Sequence, residues 1–157
     1  MSERLFALVN DQEVYLLSDG TASHFSTHEL RCRCGCGACQ ADQRLIDTLE
    51  AIREHIGSPV FVHSGIRCSV YNHRVGGALT SQHLPRDIYG EIVETSWRVP
   101  ASGATRACDI TTKVLTPRML QGLIRQNREV WGVTGLGCYP GFTHVDVRDG
   151  RYTTWKG

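Results

Sequence analysis

Nowhere in this chain does an apolar run approach the ~20 residues that span a bilayer, and its opening, MSERLFALVNDQ, has no signal-peptide pattern. A soluble protein made in the cytoplasm is therefore expected, with no membrane span. Charge of one sign is missing too. Seventeen basic and 16 acidic residues leave a formal +1, and no basic cluster offers the footprint that nucleic-acid binding needs. There are no internal repeats and no linker that would mark a second domain. The 157 residues, 41% hydrophobic and 21% charged, suit one globular domain able to bury a core without staples, and a monomer is expected.

Cysteine and histidine, by contrast, are over-supplied at seven each. An odd number of thiols cannot all pair. In a chain kept in a reducing cytoplasm, such thiols point to metal rather than to bridges, an inference that weakens if the protein acts outside the cell after lysis.

The pattern along the chain is α+β. Residues 3–17 alternate apolar and polar around Asn10-Asp11-Gln12 and predict a β-hairpin, with Asp19-Gly20 closing it. Leu45, Ile46, Leu49, Ile52 and Ile56 form one apolar face and predict a helix over 42–55, stopped by Gly57 and Pro59. Pro59–His63 reads as a short buried strand, and residues 64–83 as turns. Residues 84–106 resist assignment, with a possible strand over 91–99; so long a loop suits a lid, a binding loop or a disordered segment. Thr116 caps a second helix that starts at Pro117 and runs to about Arg128. Residues 135–141 read as a turn. Phe142–Val147 reads as a strand whose alternation puts His144 and Asp146 on one face.

Four segments carry groups capable of catalysis: Ser64-Gly-Ile-Arg67, Ser81-Gln-His83, Ala107-Cys-Asp109-Ile110 and His144-Val-Asp146. Two imidazoles and a carboxylate suit a catalytic zinc, because three protein ligands leave a fourth position for water. Such an ion lowers the pKa of its water towards ~7 and polarises a carbonyl.

In this order, and with Tyr71-Asn72, Val75-Gly-Gly-Ala78 and Phe142-Thr-His144-Val-Asp-Val-Arg148, the segments resemble the zinc D-Ala-D-Ala carboxypeptidase and L-alanyl-D-glutamate endopeptidase family, and its phage-type members most. The resemblance covers about residues 24–150. It implies a Hedgehog/DD-peptidase-like fold, a small antiparallel sheet with flanking helices, and one catalytic zinc held by His83, Asp109 and His144. Arg67 would face the scissile carbonyl or a substrate carboxylate, and Ser81 would hydrogen-bond the substrate. The partners would be peptidoglycan stem or cross-link peptides, met at the cell wall after phage lysis or as part of a virion. The alternative is a non-catalytic zinc-containing wall-binding or phage-tail module. On this reading residues 1–23 are a hairpin extension and 24–157 the peptidase-like domain, with 84–106 an insertion between His83 and Asp109.

One departure bears on mechanism. The family places an acidic general base three positions before the last histidine, and here Gly141 stands there. Asp146 is the replacement candidate, either as base or as an orienter of His144; Asp87, Glu91 and Glu94 are outside candidates. Tyr139 could line the cleft. His24, His28 and His55 read as structural or solvated, while His63 and His73 carry no assignment.

Cys32, Cys34, Cys36 and Cys39 leave three options: bridges, one of them to Cys68; a small structural metal site; or inert thiols packing a loop. No second, distant knuckle accompanies them, which argues against a complete zinc finger. Cys108 should face away from Asp109 if that segment is extended.

Overall fold

The computed structural model describes residues 6–93 and 103–157. It opens with β1 (Phe6–Val9) and β2 (Gln12–Leu16), joined through Asn10 and Asp11, both at positive φ (49° and 62°), which short polar side chains tolerate. β2 pairs in turn with β3 (Ala22–Ser26), completing a three-stranded antiparallel sheet.

Ser26 then caps the single-turn α1 (Thr27–Leu30) through a reciprocal pair: the Glu29 amide donates to Ser26 Oγ at 3.3 Å and the Ser26 amide to Glu29 Oε2 at 2.8 Å. Asp42 caps α2 (Gln43–Ile56), whose Leu45, Ile46, Leu49 and Ile52 are all buried, as the apolar period requires. The first sheet docks on α2 through Gln43 Nε2, which donates to the Leu16 carbonyl at 2.9 Å, and through the buried Glu50, which takes the His24 amide at 3.0 Å and also meets the His24 ring.

The second sheet holds β4 (Val60–Ser64), β5 (Ala107–Thr112), β6 (Gly135–Cys138), β7 (Thr143–Asp146) and β8 (Thr153–Lys156), in the order β4-β5-β7-β6-β8. Between β4 and β5 lies the short α3 (Ser69–Arg74), and between β5 and β6 lies α4 (Pro117–Trp131), capped by Thr116. One face of the sheet presents Val62, Cys108, Ile110, Leu136 and Val145 to Leu45, Leu49, Leu120 and Ile124 of the two long helices. Each such side chain contributes roughly 1.5–3 kcal/mol on burial, so this layer sets where the opposite face stands.

The single-domain α+β expectation holds, with three differences, the first being that residues 64–83, expected as turns, contain the helix α3. The sheet is mixed rather than antiparallel, because β8 runs parallel to β6. Residues 135–138, expected as a turn, form a strand: its glycines are required by what lies beside them, described below. The strand expected over 91–99 falls largely outside the described residues; within them Arg86 forms isolated bridges with Ile92 and Ala104. Among the described residues no helix is long and apolar enough to cross a membrane.

Candidate metal centre

Strand register assembles the site. Asp109 lies opposite His144 between β5 and β7, Ser64 lies beside Asp109, and Gly137 and then Trp155 continue the row beyond His144. Side chains alternate along strands, so Ser64, Asp109, His144 and Trp155 rise from one face while Ile110 and Val145 fill the core on the other. Cys108 accordingly points into the core, away from Asp109.

His83 arrives from the loop that follows α3. The Arg67 amide donates to its carbonyl at 2.9 Å, and its ring Nδ1 lies 2.7 Å from the carbonyl of Gly65. A carbonyl only accepts, so Nδ1 carries the proton and Nε2 turns a lone pair inward. Buried Asn72 shapes the intervening loop, its side-chain amide donating to the Ala78 carbonyl at 2.9 Å.

His83 Nε2, Asp109 Oδ1 and His144 Nδ1 thus converge: the two rings are 3.2 Å apart, and Asp109 lies 3.2 Å from His83 and 2.9 Å from His144. All three residues are buried. A tetrahedral zinc with bonds of ~2.0–2.1 Å separates its ligands by about 3.3 Å, so the triangle suits such an ion with one position open to the cleft.

Each donor is held from behind. Arg67 Nη2 donates to Asp109 Oδ2 at 3.0 Å and its Nε to Ser64 Oγ at 2.9 Å. On the far side of the His144 ring, Nε2 meets Asp146 Oδ2 at 2.9 Å. Asp146 is fully buried and clamped by Arg148, whose Nε and Nη2 donate to its two oxygens at 2.9 and 2.6 Å and whose amide adds a third bond at 3.1 Å. Burial alone would raise the Asp146 pKa, but Arg148 and His144 outweigh it and bring it down to about 2. Asp109 is likewise held below the ordinary carboxylate range, against its burial, by the neighbouring His144 and His83 rings. Burial depresses His83; for His144 the same effect is overcome by Asp109 and Asp146, and its pKa rises.

A cleft of about 400 Å³ opens in front of the triad, lined by Arg67, Ser81, Tyr139, Phe142, Arg148 and Trp155 among others. Tyr139 stacks on Phe142 with centroids 4.4 Å apart, and the Trp155 indole donates to Tyr139 Oη at 3.1 Å, giving the cleft one flat aromatic wall. Gly135 and Gly137 are required beneath this arrangement. A Cβ on Gly135 would sit 2.1 Å from the Asp146 carboxylate, and one on Gly137 2.8 Å from the Trp155 ring.

The Peptidase M15 family model matches residues 23–146, a span that contains His83, Asp109 and His144 and ends on Asp146. The chain belongs to the peptidase M15 family. No curated protein matches it.

For this M15 chain, the structure brings Arg67, Ser81, His83, Asp109 and His144 to one cleft and puts Asp146 behind His144, with no access to the cleft side of the triad. Arg67, expected to face substrate, lines the cleft while spending one nitrogen on Asp109. Among the described residues Asp109 is the one carboxylate lining the cleft. Asp87 lines a separate hollow with Arg44 and Arg106, Glu91 is exposed outside the cleft, and Glu94 lies outside the described residues. None of residues 84–93 or 103–106 borders the cleft, so the described part of the insertion does not cover it.

Sequence reasoning left Arg148 and Trp155 without roles. The period of two through His144, Asp146 and Arg148 was a usable signal for Arg148; Trp155 had none, because only the parallel pairing of β8 brings it to His144, with ring centroids 5.1 Å apart. The cysteine set also changes. Cys32, Cys34 and Cys36 gather with Cys68, whereas Cys39, expected with them, is elsewhere and offers its carbonyl to the Tyr15 hydroxyl.

Proposed function

We propose that the chain is a zinc-dependent peptidase acting on peptidoglycan stem or cross-link peptides, with His83, Asp109 and His144 as the zinc ligands. The observation that carries this reading is the converging, buried His-Asp-His triangle at the floor of a cleft, in a member of a peptidase family. When bound, zinc supplies an acidified water and polarises the scissile carbonyl.

The chain's own groups do the rest. The Gly65 carbonyl and the Asp146 carboxylate fix which ring nitrogens face the centre, so Asp146 acts as a positioning residue rather than as the base. Arg67 holds Asp109 in place and presents its guanidinium to the cleft, where a substrate carbonyl or terminal carboxylate would meet it. Ser81 offers a hydroxyl on the same rim, and Tyr139, Phe142 and Trp155 give the peptide a flat apolar surface. Substrates of this class place the protein's action at the cell wall, reached by lysis or as part of a virion.

A second reading is favoured by one observation: no carboxylate besides Asp109 lines the cleft among the described residues, and Gly141 stands where the resembled family has its base. The chain would then be a zinc-containing wall-binding module. Purified peptidoglycan and short D-Ala-terminated peptides, incubated with zinc-loaded protein with and without chelator, separate the two. Chelator-sensitive release of new amines supports the peptidase. Stoichiometric zinc with wall binding and no cleavage overturns it in favour of the module.

A further inference from the structure

We propose that Cys32, Cys34, Cys36 and Cys68 hold a second, structural zinc ion in a closed four-thiolate site, separate from the His83–Asp109–His144 centre. The four Sγ atoms all lie within 4.8 Å of one another. Cys34 Sγ stands 3.4 Å from Cys32 Sγ and 3.6 Å from Cys68 Sγ, an arrangement around a shared centre rather than in pairs. Tetrahedral zinc with Zn–S bonds of ~2.3 Å separates its sulfurs by about 3.8 Å, close to these spacings. All seven cysteines are free of disulfides.

The local chain is shaped for convergence. Gly35 and Gly37, at φ 82° and 86°, alternate with the cysteines and turn the backbone so that three sulfurs from a five-residue stretch face one point. The fourth comes from a distant corner of the fold. There the Cys68 amide donates to Cys32 Sγ at 3.4 Å and the Tyr71 amide to Cys68 Sγ at 3.4 Å, bonds that strengthen when the acceptor is a thiolate. Ala38, Ile66 and Tyr71 pack around the sulfurs in a small apolar cluster distinct from the main core. Thiolates select zinc over calcium or magnesium, and four protein donors leave no open position, so the ion holds structure instead of catalysing.

The position explains what is held. Cys68 directly follows Arg67, whose amide fixes the His83 carbonyl and whose guanidinium fixes Asp109. An ion tying Cys68 to the Cys32–Cys36 loop therefore clamps the corner from which two elements of the other centre are positioned.

The test uses full-length protein purified reduced and loaded with zinc or cobalt. Wild type is expected to carry two ions per chain. The double variant His83→Ala/His144→Ala should keep one, with the intense near-ultraviolet charge-transfer band of cobalt on thiolates. Cys34→Ser/Cys36→Ser should lose that ion and the band while keeping the other. Should this variant fail to fold, alkylation of wild type decides. Zinc should protect Cys34 and Cys36, and chelation should expose them, while Cys39 and Cys138 react alike in both states. A His83→Ala/His144→Ala protein without the thiolate band, or Cys34 alkylated equally with and without zinc, overturns the proposal.

Discussion

Two clusters of metal-ligating side chains lie on either side of Arg67, and they are built in opposite ways. His83, Asp109 and His144 stand on the sheet, two of them fixed opposite each other by the β5–β7 register, and they face a cleft. The four cysteines come from a glycine-bent loop and a helix cap, with Cys34 at the exposed edge. Three donors before an open cleft suit reaction; four donors around one point suit clamping. The difference also lies in how each donor is steadied. The imidazoles and carboxylate need partners behind them, Gly65, Arg67 and Asp146, because a ring or carboxylate can rotate about its bond. Two of the sulfurs are steadied instead by backbone amides, that of Cys68 on Cys32 Sγ and that of Tyr71 on Cys68 Sγ.

The largest expected effect tests whether the two centres are independent. His83→Ala/His144→Ala should reduce turnover of D-Ala peptides to background while the cysteine-held ion stays, as read by peptide assay and metal analysis on the same sample. Loss of both ions together would break the separation. Next comes the base. Gly141 is exposed, and a Cβ there meets nothing within 4 Å, so Gly141→Glu has room for a carboxylate near the cleft. It should raise kcat by roughly 10²- to 10⁴-fold with zinc content unchanged. An active wild type that gains nothing would show that its turnover does not wait on a carboxylate at position 141.

Asp146→Asn sharpens the distinction between steadying and reacting. As a positioning residue, its loss should weaken zinc binding roughly 10- to 100-fold at the histidine centre, with activity returning in excess zinc. A fall in kcat at full zinc occupancy would instead make Asp146 the base. The cysteine-held ion should not respond to this substitution at all.

The smallest effect lies away from both clusters. The Tyr15 phenol is buried, donates to the Cys39 carbonyl, and burial pushes its pKa well above the ordinary 10.0. Its folded-state value being raised, its contribution to stability is complete below pH 10.0 and falls as the unfolded chain ionises above that value. Tyr15→Phe should cost about 1 kcal/mol at neutral pH and flatten the alkaline loss of stability, measured by denaturant titration at several pH values. A variant that lost zinc would show that the hairpin and the metal centres are coupled.

Much of the fold could be read along the chain. The Asn10-Asp11 turn, the apolar face of α2 and the Thr116-Pro117 start of α4 depend on residues within a few positions of one another, and each lies where its pattern puts it. β6 was not legible, because Gly135 and Gly137 weaken a strand signal; their absence of side chains serves the Asp146 carboxylate and the Trp155 ring, which come from other strands. Residues 84–106 suggested a lid, but of the described ones Arg86, Asp87, Ile88, Ala104 and Arg106 line a hollow with Arg44 and Asp149, and none borders the cleft.

The sequence by itself determined the chemistry on offer: which residue types exist, where the two long helices form, and the order of motifs that marks the M15 family. Tertiary structure decided which groups meet. Register set Asp109 against His144, loop closure brought His83 to them, and the same closure exchanged Cys39 for Cys68. It also turned Asp146 to the back of the His144 ring, where a carboxylate can steady a ligand but cannot reach the cleft. The physical reason is range. Propensity, capping and periodicity act over a turn or two of chain, whereas convergence at a point depends on burial of the shared core, which positions whole strands and corners at once.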